Sequence, residues 1–153
     1  MIFSVEQLFS DDQAITVTAA STNVIDLGAT GTVLGGSNAL VRDIGRGAPI
    51  PILIQVTVDF ATLTSLQVTL QAAHVVGFGE SYTIAQTPAV VAAELVAGFQ
   101  FPIIYVPIRT DKRFFRLNYT VAGSNATAGA VTAGIVVARQ DTGLAGVAGL
   151  QGT

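Results

Sequence analysis

The chain has 153 residues, enough for one domain that buries about 70% of the surface its unfolded form exposes. Half of the residues are hydrophobic, 11% are charged and none is cysteine, which excludes a disulfide-stapled secreted module and any thiolate metal site. The formal net charge of −3 opposes a phosphate backbone, and apolar runs such as "APIPILI" fall far short of the ~20 residues of a membrane-spanning helix.

The apolar mass is small and β-branched, with 19 Val beside 17 Thr. Branched Cβ atoms pack well on a pleated surface and lose rotamer freedom in a helix, so strands are expected throughout. The start "MIFSVEQLFSDD" lacks a basic region and meets Glu6, Asp11 and Asp12 early, so no signal peptide is expected. "AITVT" (14–18) and "NVIDL" (23–27) read as the first strands, and a Gly-rich excursion occupies 28–49. In "IPILIQVTVDF" (50–60) Ile52, Ile54, Val56, Val58 and Phe60 share one face, and "SLQVTLQ" (65–71) repeats the alternation. "YTIAQ" (82–86) follows.

In "TPAVVAAELVAG" Thr87 suits an N-cap, Pro88 the first helical position and Gly98 the end, which predicts a short helix over 88–97. Strands resume at 101–107, 113–121 and 131–139, the last two flanking "AGSNATAGA" as a hairpin loop. Eight short strands with long crossovers and one short helix predict an all-β, jelly-roll-like antiparallel sandwich. An immunoglobulin-like sandwich is disfavoured because its Cys and Trp landmarks are missing. Residues 1–142 form this single domain, and 143–153 form a Gly-rich arm that either folds back on its own domain or lies over a neighbouring subunit.

Catalytic constellations are hard to assemble from this chain. His74 is the one histidine, with no acid within five positions, which leaves no His-based general base with an orienting partner and no multi-His metal site. Asp11–Asp12 is the one adjacent carboxylate pair, and neighbouring residues of an extended chain point apart; Ser10–Asp11 reads as a turn. "GATGTVLGG" lacks the lysine of a phosphate loop. No catalytic residue, cofactor or metal is expected.

The charge is uneven: residues 1–100 carry a net −6 and residues 101–153 a net +3. The basic half centres on "TDKRFFRLNYTV" (110–121). On a strand, Phe115, Leu117, Tyr119 and Val121 form a core stripe, which leaves Phe114 and Arg116 on the face that should be wet. An intersubunit contact accounts for both, because aromatics and Arg are enriched in interface cores. Base stacking is disfavoured in an acidic chain with one such patch.

Several segments in order, "QAITVTAASTNVIDLG", "VRDIGRGAPIPILIQV", "LTSLQVTLQ", "AELVAGFQFPI", "RFFRLNYTVAG" and "TAGAVTAGIVV", resemble the capsid cement (decoration) proteins of tailed bacteriophages, of the kind found in Bordetella phage. The resemblance implies a jelly-roll-like sandwich without enzymatic activity. Such a protein is made in the host cytoplasm and sits on the outer surface of the virion's head. There it binds junctions of the major capsid protein as a homodimer or homotrimer and takes no nucleic acid, membrane or cofactor as partner. Three contact elements are expected: Ile2 and Phe3; Arg113, Phe114 and Arg116; and Leu144, Val147 and Leu150 of the arm. Ile2 and Phe3 also suit a strand that closes the domain's own sheet. Another virion head or tail β-sandwich is the alternative, and a carbohydrate-binding module is disfavoured by the lack of Trp.

Overall fold

Two strands of 24 and 22 residues, β4 (Ile50–Ala73) and β8 (Phe114–Ile135), organise the structure, a computed structural model that describes residues 4–42, 47, 49–108 and 110–136. They pair antiparallel from Ile52↔Ile135 to Ala73↔Phe114. A straight strand of that length would run about 80 Å, roughly twice the width of a domain of this size. The pair therefore bends. Its register slips repeatedly between Val56 and Ser65, opposite 122–131, and such bulges kink a strand and raise its twist.

The bend folds the sheet over itself into two layers. One layer runs β1 (Leu8–Ala14), the 130–135 half of β8, the 50–58 half of β4, then β7 (Ile104–Val106). The other runs β2 (Ala19–Ala20) with β3 (Ile25–Asp26), the 114–122 half of β8, the 65–73 half of β4, then β5 (Tyr82–Gln86) with β6 (Val90–Val91). Counting the halves as separate strands, and β2–β3 and β5–β6 as one each, the layers interleave the chain as two Greek keys. That is the expected jelly roll.

One core lies between the layers. Ile52, Ile54, Val56, Val131 and Ala133 enter it from the first layer, and Leu66, Val68, Leu70, Phe115, Leu117 and Tyr119 from the second. Tyr119 is the largest fully buried side chain, and its hydroxyl lies 2.7 Å from Ser10 Oγ of β1. Ser10 gives its own proton to Gln13 Oε1 at 2.7 Å, so Tyr119 is the donor of this pair. Gln13 Oε1 also accepts the Thr22 N–H, and Gln13 Nε2 donates to Ala20 O. One polar chain thus fastens β1 to β8 and to the segment before β3, with its buried members satisfied.

Several expectations are corrected. The first strand is Leu8–Ala14 rather than 14–18, with Asp11 and Asp12 inside it at a register slip and Asp12 at φ +47. No helix spans 88–97: β6 and a single 3-10 turn, Ala92–Glu94, stand there. Thr87, rather than capping, is buried, accepts the Val68 N–H at 3.1 Å and donates to Pro88 O. Pairing of Val90 and Val91 with Leu66 and Ser65 outweighs the helical pattern. "AGSNATAGA" is not a hairpin loop but the bent middle of β8. Val58 is exposed, because the slip after Val56 turns it away from the core.

Candidate functional site

Jelly-roll connectivity gathers alternate connections at one end. The described residues of three connections, 27–42, 74–81 and 107–108 with 110–113, meet at a loop pole, and the bend lies at the other end. Four cations of the basic stretch and its surroundings hold this pole together. Arg113 makes a bidentate pair with Asp26, Nε to Oδ1 at 2.6 Å and Nη2 to Oδ2 at 2.7 Å, while its carbonyl accepts the Leu27 N–H. That guanidinium holds the Asp26 carboxyl below its ordinary range. Arg42 donates to the carbonyls of Leu27 and Gly28, fastening the return of the long excursion to its start.

Arg116 donates through Nε to Gln71 Oε1 at 2.8 Å and lies 4.2 Å from the ring centroid of Phe78. Phe78 is buried at φ +50, so the cation fixes a strained loop residue by its ring face. Lys112 sits 4.8 Å over the Tyr82 ring and 2.5 Å from Asp111 Oδ1. Its ammonium lowers the Asp111 carboxyl. These contacts join three connections and strand β5 into one surface.

Beside the clips, among exposed polar residues such as His74 and Glu80, several large apolar side chains stand in solvent. An antiparallel bridge, Thr32↔Ala39, turns part of the long excursion into a finger with Gly35 at φ +76 in its turn. Leu34 at the tip is fully exposed, and Val41 at the base is 89% exposed. Val33 and Leu40 stand beside them, and Val75, Val76 and Ile108 project from the other two connections. Large apolar side chains grouped in this way on loops mark an interaction surface. At its centre is a cleft of about 440 Å³ walled by Leu40, Val41, Arg42, His74, Asp111 and Arg113.

Of the expected site residues, Arg113, Phe114 and Arg116 lie together at this pole, but turned toward their own chain. Phe114 is half-buried rather than exposed, because the Arg113 guanidinium covers its ring at 4.8 Å. Ile2, Phe3, Leu144, Val147 and Leu150 lie outside the described residues. The apolar tips at Leu34, Val41, Val75 and Val76 were missed from sequence. Their signal was present as adjacent pairs, "VL", "LV" and "VV", set in Gly-rich loops where alternation gives no core assignment.

His74 is exposed on its loop. Among the described residues no cluster of His, Asp and Glu could hold a metal ion, and no helix is long and apolar enough to cross a membrane. No curated protein matches the chain. The model of one family, Bbp16, matches residues 9–135, which takes in both layers of the sandwich and the whole loop pole except the ends of the chain. By that match over most of its length, the chain belongs to the Bbp16 family, whose name points to a protein of a Bordetella bacteriophage.

Proposed function

We propose that this protein is a capsid cement protein: a non-enzymatic component of the phage virion that binds junctions of the major capsid protein on the outer face of the head. The observation that carries the reading is the loop pole. Its backbone is pinned by Asp26–Arg113, Arg42 and Arg116–Phe78, while Leu34, Val41, Val75 and Val76 remain unburied. A rigid surface loses little conformational freedom on docking, and apolar tips give it area to bury. The phage family and the resemblance to cement proteins supply the partner.

Cementing is linkage. A protein that binds the expanded shell and not the unexpanded one stabilises the former by RT ln(1 + [L]/Kd) at each site. Repetition over the shell, and pairing of copies into a small homo-oligomer, multiplies modest contacts. Purified protein added to expanded heads that lack it is expected to bind saturably and to raise their disruption temperature, with no binding to unexpanded heads. Sedimentation of heads with the protein left entirely in the supernatant would contradict the reading.

A further inference from the structure

Among the described residues the sandwich is hydrogen-bonded along one side, while on the other its two outer strands are neighbours without pairing. On the bonded side the outer edge of β1 is joined to residues 20–23, with Asn23 N–H donating to Phe9 O at 2.9 Å and Gln13 Nε2 to Ala20 O at 2.9 Å. On the other side β5 and β7 are the outer strands of the two layers. Among the described residues no backbone hydrogen bond joins them, and none caps the outer edge of β5.

Open edges are normally blunted by charge, proline or a bulge, because a row of unpaired N–H and C=O groups templates another strand. The segment of β7 lies between Pro102 and Pro107. Strand β5, "YTIAQ", has neither charge nor proline; its one irregularity is the slip opposite Leu70 and Gln71, which leaves Ile84 as an extra residue. Beside this edge runs a cleft of about 370 Å³, with Tyr82, Thr83 and Ile84 on one wall, Pro107, Ile108 and Thr110 on the other, and the Asp111–Lys112 pair closing its end over the Tyr82 ring. Tyr82 and Ile108, 49% and 67% exposed, form its rim next to the loop pole.

We propose that this seam takes one extended segment of the major capsid protein, paired backbone to backbone with β5 and setting alternate apolar side chains into the cleft. The chemistry of the edge selects the class of occupant: unpaired amides and carbonyls in a row are satisfied by another extended backbone and not by a helix, whose own groups are already bonded. The cleft beside them adds a place for side chains of period two. A second copy of β5 suits the edge less well, since two bulged edges twist away from each other, whereas a flexible arm follows the twist. The inference rests on the shell reading above and adds the mode of attachment.

Hydrogen exchange of the full-length protein, free and bound to expanded heads, tests it. The outward amides of Tyr82–Gln86 are expected to exchange at least tenfold more slowly in the bound state. Thr83→Lys, at an exposed position on the cleft wall, is expected to keep the wild-type melting temperature and to bind heads at least tenfold more weakly. Binding with unchanged exchange over β5, or wild-type binding by Thr83→Lys, overturns the seam and leaves the shell reading standing. Failure of the wild-type protein to bind heads removes the occupant and overturns both.

Discussion

Gly129→Ala is expected to cost on the order of 3 kcal/mol of folding stability, read from denaturant unfolding. Gly129 lies where β8 passes from one layer to the other, at φ +137, a backbone conformation that side chains with a Cβ rarely adopt. A Cβ built there would sit 2.2 Å from Cδ1 of Phe60 on the facing bend of β4. Phe60 cannot retreat freely, because its ring belongs to the buried cluster and its N–H is bonded to Leu95 O. Strain and overpacking therefore add at one atom. Gly31→Ala is the matched control: nothing lies within 4 Å of its Cβ position, and a change within about 0.5 kcal/mol is expected. Equal effects of the two substitutions would contradict the bent-strand description.

The second large effect is an asymmetry between two ends of one hydrogen bond. Ser10→Ala is expected to destabilise by about 2 kcal/mol, and Tyr119→Phe by about 1 kcal/mol. Removing Ser10 Oγ leaves the Tyr119 hydroxyl a buried donor without its acceptor, and also takes away the proton that Ser10 gives to Gln13 Oε1. Removing the Tyr119 hydroxyl leaves Ser10 still donating to Gln13. Burial pushes the Tyr119 phenol well above its ordinary range, so the hydroxyl stays a neutral donor at every working pH. Unfolding midpoints of the two variants decide it; a costlier Tyr119→Phe would reverse the assigned direction of the bond.

Most of the fold was legible because it is written in period two. In 50–56 and 65–71 alternate positions enter the core as the alternation predicts, and Phe115, Leu117 and Tyr119 form the expected stripe. The jelly roll followed from strand count and loop lengths. Continuity of β4 and β8 was not legible, since "ATLT" (61–64) separates two runs that each read as a complete strand and the Gly-rich 122–130 looks like a hairpin loop. They are bulges held by partners in the other strand, such as Thr62 Oγ1 donating to Asn125 O at 2.7 Å. The first strand was misplaced because its middle, "SDDQ", carries little apolar signal where the register slips.

The site was legible in composition and not in geometry. The basic stretch stood out, but its meaning depends on partners such as Asp26, 87 residues from Arg113, and Phe78, on a different connection. Those pairings give the basic stretch partners within its own chain that no local feature of the sequence announces. In the proposed function the exposed tips of the loops are the surface offered to a partner, and nothing local in the sequence distinguishes an apolar loop tip from a short buried strand.

The most direct measurement is a binding titration on expanded heads that compares Leu34→Asp with Val96→Asp. Leu34 is fully exposed at the tip of the finger on the loop pole, and Val96 is 49% exposed beside the bend, so both variants are expected to fold. An aspartate buried at a docked apolar contact lacks a partner and is costly. The account predicts binding weakened at least tenfold by Leu34→Asp and unchanged by Val96→Asp. Wild-type binding by Leu34→Asp together with loss of binding by Val96→Asp would show that the protein docks by its other end and would contradict it.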